Sequence, residues 1–233
     1  MSKLRKCYAL FPYRSSNHIS LHRLSNFQQA SISYIRHLMS EFGLYYGLGF
    51  DHILDINGYD HILFVVVLCA LYQSSDWKKV LILITAFTIG HSITLALSTM
   101  RIININAELI EFLIPLTILF TAISNLFTKE TRIAEGKIWR NYGYAGFFGM
   151  IHGLGFSNYL RALLGEDNTI LLQLFAFNVG LEVGQIIIVG LFMIISFIFV
   201  SIAGLSRRDW KMIISSAVAG IALMLMLDTA YLN

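Results

Sequence analysis

Between residues 170 and 206 the chain carries a single charged residue, Glu182. A bilayer core of about 30 Å is crossed by roughly 20 helical residues, so this run is longer than one straight span requires. Comparable apolar runs cover about residues 80–100, 107–127, 139–160 and 210–227. Lipid offers no hydrogen-bond partner to a peptide group, which forces each run into helix. Of all 233 residues, 56% are hydrophobic and 13% charged. A soluble domain of this size cannot hide so much apolar surface. The same numbers exclude a disordered chain and a disulfide-bonded secreted scaffold. The net charge of +3 is scattered, which leaves no electrostatic footprint for nucleic acid. Cys69 lies in an apolar run and reads as a small core residue, and Cys7 is the other cysteine.

Residues 1–38 differ in character. They hold Lys3, Arg5, Lys6, Arg14, Arg23 and Arg36, together with His18, His22 and His37. No apolar run there is long enough for a signal peptide. The string MSEFGLYYGLGF, beginning at Met39, reads like a natural start. Residues 1–38 are therefore expected to be a leader foreign to the native protein. Otherwise they form a disordered or amphipathic arm with Phe27, Ile32, Tyr34 and Ile35 on its apolar side. Residues 39–233 are expected to form the transmembrane helical domain. Within it, residues 42–54 are glycine-rich, short for a span, and broken by Asp51, His52 and Asp55. They predict a re-entrant or interfacial segment ahead of a first span over residues 58–72. The fold class is then an all-α polytopic membrane protein. It is a bundle of six transmembrane helices, or seven if residues 42–54 cross with their neighbours. Pro115 predicts a kink. The run from Ile170 is expected to tilt strongly or to break near Gly180 and Gly184.

Lysine and arginine set the orientation. The loop at residues 73–79 holds Lys78 and Lys79. The loop at 128–140 holds Lys129, Arg132, Lys137 and Arg140. The loop at 206–211 holds Arg207, Arg208 and Lys211. The alternate loops hold only Arg101 and Arg161. The richer set is expected in the cytoplasm, with both ends of a six-span core outside. The basic residues before Met39 oppose this orientation unless they are absent from the mature protein or an extra crossing keeps them inside.

A charged group within a span is costly and marks a functional candidate. Asp60 and His61 open the first span, His91 lies in the second, and Glu108 and Glu111 open the third. His152 lies in the fourth and Glu182 in the fifth. Under the expected orientation all of them fall in the outer half of the membrane, with His52 just ahead of them. Asn178, Glu182 and Gln185 share a helical face at i, i+4 and i+7, as Thr88 and His91 do at i, i+3. His152 sits among Gly149, Gly153 and neighbouring glycines that permit close backbone approach. Imidazole and carboxylate together suit a divalent transition metal such as nickel, cobalt or zinc. The adjacent Asp60–His61 pair is not the spaced zincin signature.

Five motifs stand in order: GYDHILF, TAFTIGHSITLAL, LIEFLIPLTILFTA, FFGMIHGLGFS and FNVGLEVGQ. In these the chain resembles the HupE/UreJ family, over about residues 39–205. The likeness is to the subgroup found in Bacteroidetes genomes and beside hydrogenase and urease genes. The resemblance implies a multi-pass protein of the bacterial inner (cytoplasmic) membrane that carries nickel or cobalt, or an accessory protein supplying metal to metalloenzymes. Carried over by motif, its polar positions are His52, Asp60, His61, His91, Glu108 or Glu111, His152 and Glu182. The chain departs from many relatives in lacking an HP pair after an early glycine, a histidine-rich N-terminus and an aromatic ending. The reading expected first is a permease for nickel, cobalt or zinc, with the lipid bilayer and the cation as partners. A homo-oligomer is left open. One alternative is an intramembrane metal-dependent hydrolase with Glu182 or Asp60 as base. The other is a non-transporting accessory protein for metalloenzyme maturation.

Overall fold

The structure, a computed structural model, describes residues 17–128, 135–164 and 170–229. Residues 1–16 of the expected leader, and Lys129 and Arg132 of the basic loop, lie outside the described residues. The described part is helical: α1 (Asn17–Leu54), α2 (Asp60–Cys69), α3 (Trp77–Thr99), α4 (Ala107–Phe127), α5 (Glu135–Gly155), α6 (Ser157–Leu164), α7 (Ile170–Phe197) and α8 (Arg207–Leu227). Four helical stretches are long and apolar enough to cross a membrane: Ser74–Thr99, Ala107–Phe127, Ile170–Ile202 and Arg207–Leu227. The chain is a multi-pass helical membrane protein.

Its contacts divide it into two units, Met1–Glu41 and Phe42–Asn233. In the first, α1 is already helical from Asn17. Ser40 Oγ donates to the His37 carbonyl at 2.8 Å, and His37 lies 3.6 Å from Glu41 one turn on.

In the second unit, residues 42–54 continue as unbroken helix to Leu54. The segment expected as re-entrant or interfacial is regular helix, and the chain turns only at residues 55–59. One of its glycines is a packing position. A Cβ at Gly49 would overlap the Phe177 carbonyl of α7. The same physics acts in the long run, where strong tilt or a break was expected and no break occurs. The helix α7 passes through Gly180 and Gly184 without interruption. A Cβ at Gly180 would overlap the Tyr46 carbonyl, and one at Gly184 would overlap Ile53. These two glycines bring α1 and α7 together. The run ends later, through a π-helical turn at Ile198–Ile202 and then Gly204, whose φ of 75° is left-handed and suits glycine.

Two other expectations shift. The first span shortens to the ten residues of α2, about 15 Å of helix and half a bilayer. The run expected as one helix over 139–160 divides at Phe156 into α5 and α6. By contrast α4 begins and ends where the sequence placed it. Asn106 caps it by accepting from the Glu108 N–H at 2.8 Å, and Pro115 sits inside it.

Helices α3 and α5 also meet at backbone contact. A Cβ at Gly149 would overlap the Phe87 carbonyl, one at Gly153 the His91 carbonyl, and one at Gly90 the Gly146 carbonyl. Such backbone approach is how membrane helices gain packing without a hydrophobic driving force. Thr94 Oγ1 ties the seam by donating to the Met150 carbonyl at 2.7 Å.

Gly149→Ala is expected to lower the melting temperature of the detergent-solubilised protein by several degrees, since overpacking of this kind costs roughly 1–3 kcal/mol. At Gly143 an added Cβ meets nothing within 4 Å. Gly143→Ala is expected to leave the melt unchanged or raise it slightly. Circular dichroism melts of the two variants check the contrast.

Candidate metal centre

Four helices of the second unit bring their ionisable side chains to one place. His52 stands in the last turn of α1 and Asp60 and His61 in the first turn of α2. A short turn joins them, in which the Asn57 N–H donates to Asp55 Oδ1 at 2.8 Å. His91 comes from the middle of α3, and His152 from the last turn of α5. The glycine seam fixes the last two, because Gly153 follows His152 and packs on the His91 carbonyl.

The ligand atoms of His52, His61 and His91 all lie within 4.8 Å of one another, as do those of Asp60, His61 and His152. His61 belongs to both sets. Its ring centroid is 4.6 Å from that of His52, 5.1 Å from that of His152 and 6.1 Å from that of His91. His61, His91 and His152 are buried, while His52 and Asp60 are half-buried. Aromatic rings close the surroundings. Phe156 stacks on Phe177 and lies 4.0 Å from His52, and Phe64 and Phe87 lie 5.0 and 5.2 Å from His152.

Hydrogen bonds assign the protons. His61 Nδ1 is 3.0 Å from Asp60 Oδ1. An ionised carboxylate only accepts, so Nδ1 carries the proton and Nε2 keeps its lone pair. Thr117 Oγ1 donates to the Ile114 carbonyl at 2.7 Å and lies 3.2 Å from His152 Nε2. With its proton on that carbonyl the hydroxyl can accept only from a ring N–H, and the tautomer with Nε2–H has its lone pair on Nδ1. Partners in these positions are of the kind that orient metal-binding histidines and set their tautomers. The atoms left over are the notable ones. His52 Nε2, His61 Nε2, His152 Nδ1 and both ring nitrogens of His91 are buried without a hydrogen-bond partner among the described residues. Each unmet buried polar atom costs about 1–3 kcal/mol. A single cation would relieve several of these costs at once. Nitrogen donors with one carboxylate suit nickel, cobalt and zinc.

The remaining candidates lie elsewhere. Glu182 is outside both sets of ligand atoms, and its Oε1 accepts from Thr85 Oγ1 at 2.5 Å. One turn on, Gln185 Oε1 accepts from Thr88 Oγ1 at 2.8 Å. Asn178 Oδ1 is buried without a hydrogen-bond partner among the described residues. Glu108 and Glu111 are exposed, and Glu111 lines a small cavity of about 40 Å³ with Asn104 and Ser157. Sequence reasoning missed Thr117. A threonine in an apolar helix is ordinary, and only its position opposite His152 gives it a task.

Asp60→Asn is expected to weaken metal retention by about 10- to 100-fold, the usual effect of losing an outer partner of a ligating histidine. Thr117→Val is expected to act in the same direction, and Glu182→Gln to leave affinity close to wild type. Calorimetric titration of nickel and zinc into the purified protein checks all three.

No curated protein and no solved structure matches the chain. A family model described as HupE / UreJ protein matches residues 28–230. That stretch includes every residue of the histidine cluster together with Asp60 and Thr117, and the chain belongs to this family.

Proposed function

We propose that the chain is a permease that carries nickel, or the related cations cobalt or zinc, across the bacterial inner membrane. The observation that supports this best is the set of buried imidazole nitrogens, without hydrogen-bond partners, contributed by four separate helices. In this reading His52 and His61 take the cation first, since His52 is half-buried and both stand beside the exposed turn at residues 55–58. His91 and His152 complete its coordination. Asp60 and Thr117 hold the rings in the tautomers that present lone pairs. Metal binding at the junction of two helix ends, the last turn of α1 and the first of α2, follows the pattern of transporters built from discontinuous helices. The last turn of α1 also offers the negative end of its dipole to the ion.

The membrane potential suffices as a drive. Each charge gains about 2.3 kcal/mol per 100 mV, so a divalent cation gains roughly 4.6 kcal/mol on moving inward, or about three orders of magnitude in concentration. The proposed bundle has six crossings, with the helix ends at Lys78, Lys137 and Arg207 on the cytoplasmic side.

Purified without chelator, the protein is expected to carry about one transition-metal ion per chain. His91→Ala is expected to abolish that retention while the protein still inserts in the membrane. Expressed in a host lacking its own importers, the chain is expected to raise uptake of radiolabelled nickel, cobalt or zinc. Uptake equal to the empty host for all three would overturn the proposal. The orientation has its own check. Single cysteines placed at Lys78, Lys137 and Arg207 are expected to resist impermeant thiol reagents in intact cells and to react in inverted vesicles.

A further inference from the structure

Away from the histidine cluster, side chains of α2, α3, α4 and α5 line a cavity of about 430 Å³, a size within the roughly 300–1,000 Å³ of small-molecule sites. No imidazole or carboxylate lines it among the described residues. Its two ends differ in chemistry, and the helix register separates them. On α5, Phe148 stands about two turns beyond Arg140, roughly 12 Å along the axis. On α4, Phe120 stands as far before Thr128, the residue that ends the helix. With Leu68 of α2 and Leu83 of α3, the two phenylalanines make one end of the cavity apolar. Leu68, Leu83 and Phe148 are buried and Phe120 is exposed, so this wall reaches from the bundle interior to the lipid-facing surface.

The other end lies beside the basic loops. Arg140 lines it, is exposed, and makes no ion pair among the described residues. Thr128 lines it too, and the buried Lys211 donates from Nζ to the Thr128 carbonyl at 2.6 Å. Lys211 likewise has no carboxylate partner among the described residues. Asp76 does not supply the missing charge, because Lys79 Nζ holds it at 2.7 Å. The buried Tyr72 accepts at its hydroxyl from Asn141 Nδ2 at 3.2 Å, and its own proton has no acceptor among the described residues. Two cations and a hydroxyl donor thus stand together with no anion among them. Trp139 and Tyr144 are exposed on either side of Arg140, and such aromatic side chains mark the level of the lipid headgroups.

We propose that this cavity binds one anionic phospholipid, with an acyl chain against Leu68, Leu83, Phe120 and Phe148 and the phosphate at Arg140 and the Tyr72 hydroxyl. A guanidinium takes phosphate oxygens in pairs, and the hydroxyl adds a further donor. A free phosphate would leave the apolar wall unused. A zwitterionic lipid would bring its own cation against Arg140 and Lys211. In the proposed orientation the cavity faces the cytoplasmic leaflet, whose anionic headgroups are bound by basic pockets between helices. The site stands apart from the permease reading, since it uses none of the candidate metal ligands.

Native mass spectrometry of the full chain in detergent, titrated with phosphatidylglycerol or with phosphatidylcholine of the same chain length, tests the site. Wild type is expected to retain one phosphatidylglycerol per chain and to prefer it over phosphatidylcholine by roughly tenfold or more, the worth of a charge-assisted hydrogen bond. Arg140→Gln is expected to abolish that preference, Arg140→Lys to keep part of it, and Tyr72→Phe to lose a smaller share. Ser124 lines the cavity, so Ser124→Trp is expected to displace both lipids. Arg208 is exposed on the same side outside the cavity, and Arg208→Gln is expected to bind as wild type does. Equal retention of the two lipids by wild type would overturn the proposal, as would an unchanged preference in Arg140→Gln or an equal loss in Arg208→Gln. Displacement of the bound lipid by an equal concentration of inorganic phosphate would also overturn it, since the apolar wall would then contribute nothing. Should Ser124→Trp fail to fold, the contrast between Arg140→Gln and Arg208→Gln decides.

Discussion

The distance between α3 and α5 is the constraint on which the rest of the second unit depends. Gly90, Gly149 and Gly153 let two backbones meet where any side chain would hold them apart. His91 and His152 lie within that seam, so their separation is set by main chain rather than by flexible side chains. A second contact of the same kind, Gly49 and Gly180 between α1 and α7, places His52. Three of the four imidazoles, those of His52, His91 and His152, thus come from helices held in place by such contacts, and His61 comes from α2. Preorganisation of this sort is what holds a metal site to its geometry.

The arrangement sets stability against function. Several buried ring nitrogens lack partners, and each costs something in the folded chain. The glycine seams and the aromatic surround offset that cost. Asp60 and Thr117 limit it further by satisfying one nitrogen each on His61 and His152. What stays unsatisfied includes ring nitrogens of His52, His61, His91 and His152, a cost that a bound cation would reduce.

Much of this was legible in the sequence, and what was missed has a common cause. The bounds of α4 could be read because a long apolar run is a local signal. The convergence of Asp60, His61, His91 and His152 could be read because ionisable groups inside apolar runs must share a polar interior. Gly180 and Gly184 suggested strong tilt or a break, and the packing role of Gly49 went unread, because a glycine's role depends on what lies opposite it. At Gly49 and Gly180 a carbonyl of a helix distant in sequence lies there, and at Gly184 a side chain does. Glu182 was grouped with the histidines by expected depth. Depth does not fix the face of the helix, and Glu182 meets Thr85 instead. Thr117 gave no signal at all, since its partner is 35 residues away.

The brevity of α2 carries an electrical consequence. With only ten residues of helix, α2 covers about 15 Å, half an ordinary bilayer. In the proposed permease a cluster at the outer end of so short a span would leave most of the voltage drop between the cluster and the inner surface. In a permease built this way, capture is nearly voltage-blind, because the ion reaches His52 and His61 before entering the field. Departure bears almost the whole drop, so the step that polarisation accelerates is the one that must pull a cation away from imidazole ligands.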